Sequence, residues 1–254
     1  MPTIDTPRLE ILGCRFDPVG LEQVVGRVME WCRAPRRPHR VVTMNVAGLE
    51  LLRSDAEMRQ ASESADLVVA DGVPLVWASR LLRRRLPERV AGVDLMQALL
   101  AAAAKEKRRV WFLGAREEVV QAVVKRCGEL HPDLVVAGFR NGYFAPADHA
   151  AIVQTIRDAR PDLLFVGMPS PFKETWIWRH AAELDVPFML GVGGSFDVFA
   201  GRIRRAPRWI QEIGMEWCWR LAMEPRKLWR RYLVSNTAFL ARLFKAMLTP
   251  SPRS

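Results

Sequence analysis

Polar or glycine residues follow five short apolar runs of the sequence that have the composition of β-strands. They are Thr43 with Asn45, Asp71 with Gly72, Gly114 with Ala115, the segment 167–174 and the segment 191–197. In open α/β sheets, ligands bind just beyond the carboxyl ends of the strands. Carboxylates, hydroxyls and amides placed there can hold a ligand and accept its proton, and glycines let the backbone approach a phosphate. We therefore expect a ligand site built from these segments.

Asp71 and the glycine run each allow two interpretations. Asp71 is either the N-cap of the following helix or a carboxylate that takes a proton from a substrate hydroxyl. The run Gly191–Gly194 is either a tight turn between a strand and a helix or a backbone cradle for a nucleotide phosphate. Its Gly-x-Gly-Gly spacing differs from the NAD fingerprint, and no strand ending in an acidic residue follows about 20 residues later.

The sequence lacks the usual patterns of metal and nucleophile sites. It has no Asp-x-Asp, no His-x₃-His and no Cys-x-x-Cys pair, and its four histidines are dispersed. Neither the Gly-x-Ser-x-Gly elbow of hydrolases nor the Gly-x₄-Gly-Lys loop of P-loop proteins occurs. We expect a protein without a metal or another cofactor, and the scattered cysteines fit a reducing cytoplasm.

Strand-like and helix-like patterns alternate for most of the length. The predicted strands are Leu9–Leu12, Arg40–Thr43, Leu67–Ala70, Val110–Gly114, Leu134–Gly138, Leu163–Gly167 and Phe188–Val192. The predicted helices between them are Leu21–Arg33, Val73–Leu82, Val93–Ala104, Arg116–Leu130, Ala147–Arg160 and Lys173–Leu184. This alternation predicts the α/β class, with a Rossmann-like, mainly parallel sheet flanked by helices.

After Gly201 the strand patterns stop, and an all-helical, basic end follows. Its predicted helices are Pro207–Ile213, Met215–Met223 and Pro225 to about Leu248. The net charge of the chain is +10, and residues 202–254, with twelve basic and three acidic side chains, carry +9 of it. We predict a catalytic α/β domain at 1–201 and a basic helical appendage at 202–254. Ligand phosphates, a nucleic acid and an anionic membrane are all partners that such an end could meet.

The last predicted helix is strongly amphipathic. At about 100° per residue, one arc holds Leu228, Trp229, Tyr232, Leu233, Phe239, Leu240, Leu243, Phe244 and Met247. The opposite side holds Lys227, Arg230, Arg231, Arg242 and Lys245. Such a helix either packs on the body or lies in a membrane interface. No apolar run reaches the roughly 18 residues of a membrane span, so we expect any membrane contact to be peripheral.

Motifs between about residue 40 and 231 identify a family. In chain order they are Thr43-x-Asn45, Ala70-Asp71-Gly72, Gly92-x-Asp94, Phe112-Leu-Gly114, Gly142-Tyr143-Phe144, Pro171-x-x-Glu174-x-Trp176-Ile177, Gly191-Val-Gly-Gly-x-Phe-Asp197, Ala200-Gly201, Arg205-Ala-Pro207-x-Trp209, Glu216-Trp217-x-x-Arg220-Leu221 and Glu224-Pro225-x-Lys227. Together they resemble the WecG/TagA/CpsF glycosyltransferases (glycosyltransferase family 26). The resemblance implies an inverting, metal-independent enzyme of cell-surface or extracellular polysaccharide synthesis. It would move a sugar from a UDP-sugar to a polyprenyl-diphosphate-linked saccharide at the cytoplasmic membrane face.

The resemblance also implies roles for individual residues. Asp71 would be the general base, with Thr43 and Asn45 as neighbouring substrate contacts. Tyr143 and Asp197 would hold the uridine, beside the loop that contains Gly191, Gly193 and Gly194. The cations assigned to substrate binding, chiefly at the diphosphate, are Arg89, Arg205, Arg220, Lys227 and Arg230. Where the family usually has Pro-Lys-Gln-Glu, this chain has Pro171-Phe172-Lys173-Glu174. We hypothesise that Lys173 supplies charge for an anionic saccharide or the diphosphate.

The expected partners are therefore a UDP-sugar, a polyprenyl-diphosphate-linked saccharide and an anionic membrane surface on its cytoplasmic side. Self-association into a homo-oligomer is left open. A nucleotide-binding oxidoreductase of doubly wound type is the alternative function, and NAD(P) binding without UDP binding would favour it. A nucleic-acid-binding protein is less consistent with the Trp-rich and Leu-rich face of the basic end, and we expect no nucleic-acid partner.

Overall fold

The computed structural model describes residues 6–248, except for the side chains of Lys227 and Arg231. The strands are β1 (Leu9–Ile11), β2 (Cys14–Phe16), β3 (His39–Met44), β4 (Leu67–Ala70), β5 (Arg109–Gly114), β6 (Val135–Arg140), β7 (Leu163–Gly167) and β8 (Phe188–Gly191). The helices are α1 (Leu21–Arg33), α2 (Val46–Ser54), α3 (Ala56–Glu63), α4 (Val73–Leu81), α5 (Gly92–Lys105), α6 (Glu117–Leu130), α7 (His149–Asp158), α8 (Phe172–Leu184), α9 (Ser195–Phe199), α10 (Arg208–Glu212), α11 (Glu216–Met223) and α12 (Pro225–Leu248).

Strands β3 to β8 form one parallel sheet in the order β4-β3-β8-β7-β5-β6. The central strand β7 is buried along its whole length. Phe165 enters the cluster that contains residues of α1, α5 and α6, whereas Leu164 and Val166 enter the cluster of α7 and α8. Helices therefore cover both faces of the sheet, which explains the continuous apolar strands. The predicted α/β class with a helical C-terminal end is confirmed.

Some of the predicted elements differ from the structure. The predicted strand Leu9–Leu12 does not join the parallel sheet, because β1 pairs with β2 in an antiparallel hairpin. Leu12 and Gly13 have φ angles of 51° and 85°, which the two-residue turn of such a hairpin requires. The sequence analysis assigned no element between β3 and β4, but α2 and α3 lie there. Asn45 and Asp55 accept hydrogen bonds as their N-caps.

Helix α12 joins the C-terminal segment to the core of the α/β body. Phe239 and Leu243 are buried in the hydrophobic cluster that also contains Ile11, Phe16 and Met44. The helix runs along α2 and also contacts α11. The C-terminal segment therefore completes a cluster of the body, and the division into 1–201 and 202–254 stays a prediction. Residues 249–254 of the predicted appendage lie outside the described residues.

The apolar arc predicted for α12 is divided into a buried and an exposed part. Leu228, Phe239 and Leu243 are buried. The exposed part, called the outer arc below, consists of Trp229, Leu233, Leu240, Phe244 and Met247. Arg242 was expected on the far side from the apolar arc, but it forms an ion pair with Glu50 of α2, because its helical position adjoins the buried side. Among residues 6–248, no helix is both long and apolar enough to cross a membrane.

Candidate functional site

Three polar side chains meet at Gly92, at the carboxyl ends of β3, β4 and β8. A Cβ atom added to Gly92 would lie 3.4 Å from Thr43 Oγ1, 3.7 Å from Asp71 Oδ2 and 3.8 Å from Ser195 Oγ. Thr43 and Ser195 are buried, and Ser195 Oγ donates a hydrogen bond to the carbonyl of Val192 at 2.8 Å. We call Thr43, Asp71, Gly92 and Ser195 the Asp71 cluster. The missing side chain at Gly92 leaves the space in which a ligand hydroxyl could approach all three oxygens.

Asp71 is held by the sheet and by the start of α5. Its backbone N–H donates to the carbonyl of Met44 at 2.7 Å, and its Oδ2 accepts the N–H of Gly92 at 3.3 Å. The alternative interpretation of Asp71 as an N-cap is wrong. Gly72, with a φ of 147°, is the N-cap of α4, and no side chain caps that helix. The carboxylate is therefore available at the ligand edge of the sheet.

Burial raises the pKa of the Asp71 carboxyl above its ordinary value. The positive charge of Arg220 opposes this effect most strongly, followed by the hydrogen bond from Gly92. Glu216 raises the pKa of Asp71 further, and Arg89 lowers it. A carboxylate whose pKa is raised holds a proton more firmly, and this property suits a general base.

Asn45 and the glycine run lie next to the Asp71 cluster. Asn45 Oδ1 accepts the N–H of Gly48 at 2.9 Å and so begins α2, and its contact with a substrate stays a prediction. The run Gly191–Gly194 connects β8 with the five-residue helix α9, and Gly193 has a φ of 55°. Asp197 lies in α9, where its carbonyl accepts the N–H groups of Arg202 and Ile203. The run is therefore a strand-to-helix turn whose backbone needs glycine, and a phosphate-binding role stays a prediction.

Lys173 supports this turn from the protein interior. Its side chain is buried and forms an ion pair with Glu174, which also accepts the hydroxyl of Ser170 at 2.9 Å. A Cβ atom on Gly191 would lie 2.9 Å from Lys173 Cδ, so the lysine stem fills the space beside the turn. The ammonium group is already paired with a carboxylate. The hypothesis that it also supplies charge to a ligand stays a prediction.

Tyr143 lies far from Asp71 along the sheet. It follows β6 and is 71% exposed, whereas Asp71 follows β4 at the opposite edge. Five strand spacings separate these two edges, which is roughly 24 Å. The preceding Gly142 donates to the carbonyl of Ala115 at 2.8 Å and packs over Gly114, so the Tyr143 loop bends inward over β5. Tyr143 and Asp71 could contact one extended ligand but not the same small group.

Two of the predicted substrate-binding arginines connect the C-terminal helices with the body. Arg205 Nη2 donates to Asp94 Oδ2 at 2.7 Å, with a second bond to Oδ1, and Arg89 Nη1 donates to Glu216 Oε2 at 2.8 Å. Arg89 also reaches Gln211 at 3.1 Å. We call Arg89, Asp94, Arg205 and Glu216 the Asp94 latch. Each charge is paired across elements, so direct substrate binding by Arg89 and Arg205 stays a prediction.

The other predicted cations differ in their surroundings. Arg220 lies on α11 and has no side-chain hydrogen bond or ion pair with any residue that the structure describes. Arg230 is exposed and stacks over the ring of Trp229, with its guanidinium carbon 5.1 Å from the ring centroid. The side chain of Lys227 lies outside the described residues. Arg220 is therefore the predicted cation with the best-supported position near Asp71.

The sequence analysis missed part of this site. Ser195 was an unassigned position between Gly194 and Phe196, and Gly92 and Asp94 appeared in a motif without a role. The roles of these three residues in the site depend on contacts between segments that are distant in the chain. Within residues 6–248, no group of three or more His, Cys, Asp or Glu side chains could hold a metal ion. The arrangement can deprotonate a hydroxyl at Asp71 and stabilise negative charge at Arg220.

The sequence model of the "Glycosyl transferase WecG/TagA/CpsF family" matches residues 9–253. A similar protein of Bacillus subtilis (strain 168) is 34% identical over 179 residues, which are 70% of this chain and 69% of the relative. One of Staphylococcus aureus (strain MW2) is 31% identical over 243 residues, 95% of this chain and 94% of the relative. Both relatives are named N-acetylglucosaminyldiphosphoundecaprenol N-acetyl-beta-D-mannosaminyltransferase. With motifs, fold and length in agreement, the chain belongs to the WecG/TagA/CpsF family of glycosyltransferases.

Proposed function

We propose that this protein transfers a sugar from a UDP-sugar to a saccharide carried on polyprenyl diphosphate, with inversion and without a metal ion. The observation that carries the proposal is the position of Asp71, whose carboxylate lies beside Thr43 and Gly92 at the ligand edge of the sheet. Its pKa is raised by burial, and Arg220 is the dominant positive charge acting on it. Membership of a glycosyltransferase family disfavours the oxidoreductase alternative.

The proposed reaction is a single displacement. The hydroxyl oxygen of the acceptor attacks the anomeric carbon of the donor sugar while the bond from that carbon to the UDP oxygen breaks. Asp71 takes the hydroxyl proton, and UDP leaves with the bonding electrons. Attack and departure occur on opposite faces, so the configuration at the anomeric carbon inverts. Negative charge grows on UDP, and Arg220 is suited to stabilise it.

We assign the donor to the middle of the sheet edge and the acceptor hydroxyl to the Asp71 cluster. The glycine turn after β8 lies between Asp71 and the Tyr143 loop in strand order. A nucleotide that spans from Tyr143 to this turn would present its sugar toward Asp71. The turn supports close approach by a phosphate at Gly194, where an added Cβ atom would meet nothing within 4 Å.

The printed names of the relatives suggest which substrates to test first. They describe transfer of N-acetyl-beta-D-mannosamine to N-acetylglucosaminyldiphosphoundecaprenol. We propose the same class of acceptor for this chain, and UDP-N-acetylmannosamine as the first donor. The sugar specificity rests on this similarity alone.

A lipid-linked acceptor requires contact with a membrane, and we propose peripheral binding on its cytoplasmic side. The outer arc of α12 supports this, since Trp229, Leu233, Leu240, Phe244 and Met247 are 45–61% exposed. Arg230 stacks on Trp229 beside this arc. Aromatic and aliphatic side chains with adjacent cations are typical of helices that lie in a membrane interface.

The test is a panel of UDP-sugars with a short-chain, water-soluble lipid-diphosphate N-acetylglucosamine acceptor. We expect one donor to give product and release UDP, with no loss of rate in EDTA. Asp71→Asn should lower kcat by about 100-fold or more. Asp133→Asn, an exposed control without a partner among the described residues, should leave it unchanged. Near-normal turnover by Asp71→Asn would contradict the general-base role, and NAD(P) binding without any transfer would contradict the proposed function.

A further inference from the structure

A second surface that combines apolar and cationic side chains lies on α4, the helix that directly follows Asp71 and Gly72. Trp77 and Leu81, one turn apart, are 48% and 58% exposed. The segment from residue 72 to residue 87 contains no acidic residue and four arginines, which are Arg80, Arg83, Arg84 and Arg85. Three of these arginines are exposed, and Arg84 is half-buried. Cations and apolar groups are therefore concentrated beside the candidate site.

The guanidinium groups of this segment are free of polar partners within residues 6–248. None of the four guanidinium groups has a hydrogen bond or an ion pair with any residue in the described part of the chain. By contrast, Arg89, only a few residues later, is bound to Glu216 and Gln211. Arg80 and Arg85 line a surface hollow together with Pro18, Leu86 and Pro87. Unpaired guanidinium groups around a hollow are suited to bind anionic headgroups.

The apolar part of the surface continues onto α10. A Cβ atom on Gly214 would lie 3.2 Å from Trp77 Cη2, so the turn after α10 packs directly against α4. Trp209 and Ile213, at the two ends of α10, are 62% and 49% exposed. We call the combined surface the α4/α10 patch, and it consists of Trp77, Arg80, Leu81, Arg83, Arg85, Trp209 and Ile213.

We propose that the α4/α10 patch docks on the surface of an anionic lipid bilayer beside the entrance to the Asp71 cluster. The proposal rests on the proposed function and adds a contact separate from the outer arc of α12. Unpaired arginines attract anionic headgroups, tryptophans favour the headgroup level, and Leu81 and Ile213 gain by leaving water. A nucleic acid would neutralise the arginines but leave those aliphatic side chains exposed.

The α4/α10 patch lies close enough to the Asp71 cluster to place that site near the lipid headgroups. Helix α4 has nine residues, which is a length of about 13 Å, and it begins two residues after Asp71. Docking through α4 therefore holds the Asp71 cluster within about 13 Å of the headgroups, which is the length of this helix. An acceptor whose diphosphate lies at the bilayer surface would reach the site without leaving the membrane.

The first test measures binding of the full chain to vesicles of about 30% phosphatidylglycerol in phosphatidylcholine. Arg80→Gln/Arg83→Gln/Arg85→Gln should reduce the partition coefficient by about tenfold or more. Arg37→Gln/Lys105→Gln/Arg157→Gln removes the same charge from exposed residues that lie shortly before β3, β5 and β7, toward the amino ends of the strands and away from Asp71. This control should bind nearly as well as the unaltered chain. An equal loss in both variants would overturn the proposal, because it would mean that only net charge matters.

The same variants distinguish a bilayer from the other possible partners of the patch, which are a nucleic acid and a second copy of the chain. Loss of oligonucleotide binding with unchanged vesicle binding would overturn the proposal in favour of a nucleic acid. A change from dimer to monomer with unchanged vesicle binding would overturn it in favour of a second copy of the chain. Both variants should keep full transfer to the water-soluble acceptor without vesicles. If the unaltered chain transferred no sugar in that assay but bound vesicles through the patch, the proposed function alone would fail.

A second measurement locates the contact without altering the arginines. Leu81→Cys, made in a Cys218→Ser background because the other three cysteines are buried, can carry an environment-sensitive fluorophore. Its emission should shift to the blue when the vesicles are added. The same label at Lys105→Cys should not respond. An unchanged spectrum at position 81 with bound vesicles would overturn the proposal.

Discussion

At the scale of single residues, two opposing influences act on the ionisation of the Asp71 carboxyl. Burial of its carboxyl favours the protonated form, and the positive charge of Arg220 favours the carboxylate. The net result is a carboxyl whose pKa is raised, and Arg220 is the charge that limits the increase most. Arg220 comes from α11, so the C-terminal helices adjust the chemistry of a residue on the α/β sheet.

Replacing Arg220 should therefore change the pH dependence of the enzyme. Asp71 must be ionised to accept a proton, so kcat/KM should fall as the pH drops through its pKa. Arg220 lowers the pKa of Asp71, and Arg220→Gln should raise it, moving the acid limb of the pH profile to higher pH. Arg208→Gln, at an exposed position on α10, is the control and should leave the limb in place. An acid limb at lower pH in Arg220→Gln would contradict the assignment.

Gly92 permits a second test at this scale. Gly92→Ala should fold normally, because the added Cβ would meet its neighbours at ordinary contact distances of 3.4–3.8 Å. The methyl group would occupy the space between Thr43, Asp71 and Ser195, and we expect about a tenfold loss of kcat/KM for the acceptor. Gly128→Ala on α6, with nothing within 4 Å of the added Cβ, is the control. Full activity in Gly92→Ala would place the acceptor elsewhere.

At the scale of elements, the Asp94 latch holds α10 and α11 against the start of α5. Arg205, from the segment before α10, and Glu216, at the start of α11, pair with Asp94 and Arg89. Arg220 lies one turn after Glu216 on the same helix. The latch therefore fixes the position of the cation that acts on Asp71.

Weakening the latch should loosen these helices before the sheet unfolds. Asp94→Asn leaves Arg205 without its bidentate carboxylate, and loss of this partly exposed pair should lower global stability by only about 1 kcal/mol. Limited proteolysis should show faster cleavage within residues 207–223. The exposed Asp133→Asn serves again as the control. Unchanged cleavage in Asp94→Asn would mean that apolar packing alone holds α10 and α11.

At the scale of the whole molecule, α12 has one face in the core and another toward solvent. Phe239 and Phe244 are both phenylalanines of this helix, but Phe239 is 5% exposed and Phe244 is 61% exposed. The buried face explains why the C-terminal segment packs on the body. The exposed face is left for a partner, and a membrane is the partner we propose.

The two phenylalanines form a matched pair for a further prediction. Phe239→Ala should lower the free energy of unfolding by about 3–5 kcal/mol, because it leaves a cavity in the cluster with Phe16 and Met44. Phe244→Ala should change it by about 0.5 kcal/mol or less but should weaken vesicle binding. Denaturant titration and vesicle sedimentation measure the two effects. Equal losses of stability would contradict the two-faced arrangement of α12.

Much of the fold could be predicted from the sequence because its signals are local. Continuous apolar runs gave the position of β7 and of the other sheet strands to within two residues, and glycine, proline and apolar spacing gave the bounds of α1 and α12. The short helices α2 and α3 were not predicted, because their few turns give little periodicity. The antiparallel pairing of β1 was also missed, since the positive φ angle of Leu12 has no clear signature in its residue type.

The sequence by itself determined the fold class, the family and the chemical types at the ligand edge, including the Asp71 carboxylate. Only the tertiary structure decided which charges are paired and which are not. The sequence analysis assigned Arg89 and Arg205 to substrate binding and Arg242 to the side opposite the apolar arc, and the structure shows that each is paired with a carboxylate from a distant segment. Arg80, Arg83 and Arg85 drew no attention in the sequence, yet they lack such partners in the described chain. The physical reason is that a charge acts over a few ångströms in space, and spacing along the chain does not specify those neighbours.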